Sequence, residues 1–405
     1  METDMRPWVA ILLLTVTVVQ SGTIAHAIEH DYTFDRTISR PVLENYLDRA
    51  ITEELFVGGM GNFDDNLRML KHTGAKYIGR SLHFWGNEKG MLDGITTASK
   101  LIPKVHAVDP DMILEACIFE IVTPDVELIP VPDWAFAAFG LAPEHRNFRY
   151  KDIVATDNRA HQWGSSGVPD VTRQETKLWF YFQARMLIDA GFEAIHFGQV
   201  ELIERGDPTH FSWYQVFTQV RAYAREHARR HMVLINGHVP GGGLVRNGKL
   251  LLDFHAFPLR IKEIGAQPQE AKLEIGYWDS YFGRSAGGQT YSGWSCEHLP
   301  YLVEYDNYGH SDKPGTAVGI PWVWGYDEIC WFAHQSAAKR SAFLKYARNW
   351  VRSNDPNGHV QMPGSRTLAS PVEGNGWYFC NSASSATPQG FGDEDVIAKL
   401  WGSRN

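Results

Sequence analysis

At 405 residues the chain is long enough for two to four ordinary domains or for one elaborated α/β barrel, and 44% hydrophobic with 21% charged residues excludes a disordered, collagenous or coiled-coil chain. A formal charge of −9 without any basic tract excludes the electrostatic footprint of a nucleic-acid binder. Fourteen Trp residues in such a chain point instead towards neutral, hydroxyl-rich ligands such as sugars, whose apolar ring faces stack on indole.

The chain opens with an almost wholly apolar run from Trp8 to Val19, followed by the small residues of Ala25-His26-Ala27. Residues 1–27 therefore read as an export signal cleaved after Ala27, with 28–405 as the mature chain. The apolar run falls short of the roughly 20 residues that span a bilayer. A secreted or periplasmic protein with no membrane partner after cleavage is expected; its oligomeric state is left open.

Short β-branched runs then recur, each followed by polar or aromatic residues and usually by a capped amphipathic stretch, the alternation of a parallel-strand fold. They are Ala50 to Thr52, Tyr77 to Leu82, Met112 to Ile118, Ala194 to Gly198, Met232 to Asn236, Leu250 to His255, Leu273 to Tyr277, and Ala317 to Trp324. Between them, Asn62 to Leu70 with Gly74 makes a helix. Thr172 to Glu175 is a capping box for a helix closed by Gly191, and Ser212 to Gln215 is a second box, whose helix carries Arg221, Arg225 and Arg229 on a solvated face. Ser336 to Val351 and Asp393 to Leu400 are further helices. Eight βα-like units predict an α/β protein, a single (β/α)8 TIM barrel with irregular crossovers. A long insertion after strand three, residues 121–170, is placed to shape a cleft, and residues 355–405 form a C-terminal extension. Cys117, Cys296, Cys330 and Cys380 show no CxxC spacing, so neither zinc nor redox chemistry is suggested, though two disulfides are allowed.

In such a barrel the residues just past each strand gather at one rim, where barrel enzymes place their chemistry. Arg80, His83 and Trp85 follow strand two, Glu120 strand three, His196, Gln199 and Glu201 strand four, and Asn236 and His238 strand five. Asp253 and His255 close strand six, Trp278 and Asp279 strand seven, Trp324 and Asp327 strand eight. Buried charges need partners or a ligand, so convergence of this kind marks a site. Glycoside cleavage needs one carboxylic acid to protonate the leaving oxygen and a second to attack or to activate water. Glu201 and Asp279 are the expected pair, with Glu120 the next choice.

The set of Arg after strand two, an amide and Glu after strand four, His at strand six, a carboxylate after strand seven and Trp at strand eight resembles the retaining (β/α)8 glycoside hydrolases of the large cellulase and galactosidase clan. The resemblance implies an acid/base Glu ending strand four, directly preceded by Asn, and a nucleophilic Glu ending strand seven. Here Gln199 takes the Asn place with one extra residue before Glu201, and Asp279 stands where Glu is expected. A secreted glycoside hydrolase acting on a polysaccharide or oligosaccharide is thus the leading expectation. One alternative is a metal-dependent barrel hydrolase using His238, His255 and Asp327, although the His-x-His it needs on strand one is missing. Another is a barrel that binds carbohydrate without cleaving it. The Gly-rich stretches lack a strand-to-helix context, so no nucleotide cofactor is expected, nor any metal.

Overall fold

The structure, a computed structural model, describes residues 30–402. The predicted export segment, residues 1–27, lies outside them. The chain divides after residue 31, and the unit from residue 32 onward is a parallel barrel. Its strands are β1 (Ala50–Glu53), β2 (Tyr77–His83), β3 (Ile113–Cys117), β4 (Ala194–His196), β5 (Leu234–Asn236), β6 (His255–Pro258), β7 (Tyr301–Glu304) and β8 (Gly358–Val372). They pair in parallel from β5 back to β1, then β1 with β8, β8 with β7 and β7 with β6. A lone parallel bridge between His238 and Ala256 joins β5 to β6. This is the (β/α)8 barrel that the alternation predicts.

The first five strands lie where the sequence places them, and β6 begins at the last residue of its predicted run. The predicted seventh and eighth strands are corrected. Residues 273–277 lie in the β6–β7 connection, where Ile275 is exposed, and residues 317–324 lie in the β7–β8 connection, where Val318 and Ile320 are exposed. A barrel strand is covered on both faces, and these segments are not. β8 comes instead from the supposed C-terminal extension, whose hairpin partner Asn375–Phe379 and final helix Glu394–Trp401 complete the unit.

Helices Phe63–Thr73, Glu88–Val108, Gln174–Ala190 and Phe211–His227 follow the first four strands, and Glu328–Ala333 with Ala337–Asn354 connects β7 to β8. Asn62 caps the first through a 3.0 Å bond from the Asp65 N–H, and Gly74 ends it, as predicted. Neither predicted capping box forms. Thr172 donates to Asp170, Glu175 is held by Arg146, and the Ser212 N–H donates to Asp207. Nor is Arg221 solvated: its guanidinium is buried against the Leu251 carbonyl and the Asp253 carboxylate. No helix forms between β5 and β6; a ribbon there joins another from the β6–β7 connection in one four-stranded sheet. All four cysteines are free thiols, so the allowed disulfides are absent.

The insertion is stitched back on itself by bridges Val122 to Gly167 and Val154 to Pro169. A methyl group on Gly167 would meet the Ala160 carbonyl oxygen at 2.3 Å and a Val154 methyl at 2.5 Å. Gly167→Ala is therefore expected to cost about 1–3 kcal/mol by forcing the insertion off the β3 exit. A melting temperature unchanged from the parent would contradict this.

The barrel interior has two unlike halves. Below, Ala50, Tyr77, Ile113, Ala194, Leu234, Phe254 and Leu302 form an apolar layer, plugged by Tyr46 and Leu47 of helix Arg40–Leu47. Above, where barrels usually stack Val, Ile and Leu, stand Glu115, His196, Asn236, Glu304 and Gln361, all buried. That upper layer leads into the rim.

Candidate active site

The polar layer is built from pairwise satisfaction. Glu115 accepts from the Tyr77 hydroxyl at 2.5 Å, from Asn236 Nδ2 at 2.8 Å and from the Arg80 N–H at 3.0 Å. His196 Nδ1 lies 2.6 Å from Asn236 Oδ1, which accepts its proton; burial, and then His238 and Arg80, push this imidazole well below its ordinary pKa, so it is neutral with Nε2 free to accept.

Arg80 reaches the centre because β2 breaks its register between Ile78 and Leu82. Its backbone is left-handed, φ 56°, a conformation costly for a residue with a Cβ and held here by the bond from its N–H to Glu115. The guanidinium grips Glu304, the last residue of β7, through both Nε, at 2.7 Å, and Nη2. Arg366 of β8 adds a second cation at 4.0 Å, and His238 Nε2 stands 3.4 Å away, an electrostatic contact rather than a formed bond. Burial works to raise the Glu304 carboxyl, but the two arginines outweigh it and hold it well below the carboxylate range. It is a fixed anion.

Beside it, Glu54 at the end of β1 takes His83 Nε2 at 3.0 Å and the Thr367 N–H at 2.8 Å. Burial opposes ionisation, yet Arg366 and His83 bring its pKa down to about 2. Arg366 also binds Asp306 at 3.1 Å. On the far wall Glu120 accepts from the Gln199 N–H at 3.1 Å and from its side-chain amide at 2.8 Å. Gly198, with φ 58°, makes room for that carboxylate, since a Cβ there would lie 2.3 Å from Oε2. Phe119 connects the walls: Arg80 lies 5.2 Å over its ring, and His83 and Trp85 pack edge-on to it. Trp85, 47% exposed, also meets Trp163 of the insertion edge-on at 5.3 Å.

The structure thus brings together Arg80, His83, Trp85, Glu120, His196, Gln199, Asn236 and His238. Others stand elsewhere. Glu201 accepts from the Gly241 N–H at 2.7 Å; burial raises its pKa. Asp279, expected at the end of β7, is in the β6–β7 connection, paired with Arg260 at 2.6 Å, and exposed Trp278 covers that guanidinium. Asp253 binds Arg221 on the outer helix, and His255 faces Tyr281 and Ser285, its pKa lowered to about 3 by burial. Trp324 is buried in the β7–β8 connection, and Asp327, fully buried, caps helix Glu328–Ala333 through the Cys330 N–H. Misplaced strands seven and eight account for Asp279, Trp278, Trp324 and Asp327. The reading missed Glu54, Phe119, Glu304, Asp306 and Arg366. Among the described residues no group of three or more His, Cys, Asp or Glu side chains is arranged to hold a metal.

The two signs of pKa shift predict opposite responses to pH. Glu54 and Glu304 lie below the unfolded value near 4.3, so their stabilisation is complete above about pH 4; that of Glu54 is lost as pH falls towards about 2, and that of Glu304 is likewise lost on acidification through its own lowered pKa. Glu53, fully buried, is pushed up to about 8 because burial outweighs a hydroxyl contact from Ser365. Its contribution worsens as pH rises from about 4 to about 8. Glu53→Gln should therefore melt higher than the parent at about pH 8 and alike at about pH 4. A difference independent of pH would refute the assignment.

No family model matches the chain, and no curated protein matches it. Remote similarity links it to solved structures of glycoside hydrolases. An FMN-binding β-glucuronidase of Facaelibacterium prausnitzii is 10% identical, covering 88% of this chain and 44% of that one at a TM-score of 0.38. A cyclic α-maltosyl-(1→6)-maltose hydrolase of Arthrobacter globiformis is 13% identical over 52% of this chain and 56% of that one, TM-score 0.31, and a debranching enzyme of Nostoc punctiforme is 10% identical over 52% of each, TM-score 0.32. The chain spans about half the length of such structures. Likenesses this partial do not speak for its chemistry, which rests on its own side chains.

Proposed function

We propose that the chain is an exported glycoside hydrolase acting on a polysaccharide or oligosaccharide, with Glu304 as the ionised carboxylate and Glu120 as the proton donor. The observation that carries the reading is Glu304: a buried anion ending β7, fixed by Arg80 and Arg366 with the His238 imidazole beside it, in the polar layer under the barrel rim. β3 and β7 are four strands apart around an eight-stranded ring, so Glu120 and Glu304 stand on opposite walls of the barrel. Glu120 gives its proton to the leaving oxygen while Glu304 stabilises positive charge at the anomeric carbon, as nucleophile or through an activated water. In this reading His83, His238 and Gln199 bond sugar hydroxyls, and Trp85 and Trp163 stack on a ring face.

A second centre has two points in its favour. The raised pKa of Glu201 suits a general acid, and Arg284 links the Asp279 carbonyl to the Pro240 carbonyl, which directly precedes the Gly241 N–H bound by Glu201. A reducing-end assay over a broad glycan panel tests the class, and chelation should leave the rate unchanged. Absence of release from every glycan, alongside chelator-sensitive hydrolysis of amides or esters, would sink the reading.

A further inference from the structure

A groove of about 730 Å³ runs along the barrel flank, between helix Phe211–His227 and the small four-stranded sheet of the β5–β6 and β6–β7 connections. On a chain of net charge −9, no carboxylate among the described residues lines it. Four cations do. Arg221 is committed to Asp253, but among the described residues Arg225, Arg246 and Lys249 are in no ion pair. Arg225 donates to the Tyr291 hydroxyl at 2.7 Å and Arg246 to the Thr209 carbonyl at 2.8 Å, which leaves each guanidinium with further N–H groups. Arg246 packs over Phe211 at 4.9 Å, and Phe211 stacks with Tyr214, which is 45% exposed. Between cations and rings stand neutral hydrogen-bonding groups, Thr218, Asn247, Gln289 and Thr290.

We infer that this groove is a second carbohydrate-binding site, separate from the barrel mouth, that takes an acidic glycan: a sugar chain bearing carboxylate or sulfate groups. The arginine forks suit planar or tetrahedral oxyanions, the tyrosine faces suit the apolar side of a pyranose, and the amides and hydroxyls suit ring hydroxyls. A neutral glycan would leave three cations unanswered. A nucleic-acid strand would need a continuous cationic track with stacked bases, whereas these cations surround one bounded groove.

Calorimetric titration of the full chain with a sulfated hexasaccharide, a uronic-acid hexasaccharide and a neutral hexasaccharide tests the inference, with an oligonucleotide of equal charge as control. At least one acidic sugar should bind, more weakly as salt rises, and whichever binds names the anionic group. Arg225→Ala with Lys249→Ala, both exposed positions, should weaken it about tenfold. An unchanged melting temperature would show that the variant is folded; if the pair does unfold the chain, Lys249→Glu alone should weaken acidic binding. No acidic sugar bound, equal binding of the neutral sugar or the oligonucleotide, or variants that bind as the parent does would each overturn the inference. The readout is binding rather than turnover, so its failure leaves the reading of the mouth untouched.

Discussion

Glu304→Gln is expected to lower turnover by roughly 10³- to 10⁵-fold while the chain stays folded. Gln keeps the shape and one acceptor for Arg80, so the change removes charge more than packing. The loss should be similar for every substrate, because a carboxylate that attacks or stabilises the anomeric centre is needed whatever the leaving group. Glu304→Ala should add instability: it strands a buried guanidinium, and breaking a buried pair costs about 3–5 kcal/mol. Steady-state rates with a melt of each variant separate the two effects. A Glu304→Gln enzyme at near-parent rate would remove Glu304 from the chemistry.

Glu120→Gln should cost roughly 10²- to 10⁴-fold on a natural glycan, and the loss should shrink on aryl glycosides whose leaving groups need no proton. That dependence is the signature of a general acid, which a structural role would not produce. Glu201→Gln and Asp279→Asn make the comparison decisive. If Glu201→Gln shows the leaving-group dependence and Glu120→Gln keeps the parent rate, the chemistry belongs to the second centre beside Arg284.

How far the sequence is legible follows from what marks a strand. β1 to β5 are short apolar runs bounded by turns, and the first four lead into helices, so they stand out. β7 is four residues, Tyr301 to Glu304, an apolar run ending in acid, but the Leu273 run upstream carries the stronger local strand signal. β8 was hidden: Gly358, Pro363 and Gly364 read as loop punctuation, yet Pro363 sits opposite Thr52 within the ladder, next to a register shift. Helix Glu88–Val108 was masked likewise by Gly90, Gly94 and Pro103. The rim residues of the early strands were therefore found, and the arginine and acids of the late ones were not. The Arg80 to Glu304 contact joins residues 224 positions apart, and no local pattern reports it.

Closure of the ring carries a consequence for how the chain is made. β1 bonds to β8, Ile51 opposite Met362, so the first strand waits for nearly the last. Until then β1 and β7 present two unsatisfied edges, the surfaces on which nascent chains pair with one another. A stop codon before residue 358 would remove no more than a tail by length, yet it would release an open sheet. Such a product is expected to be found in inclusion bodies rather than as a weakened enzyme.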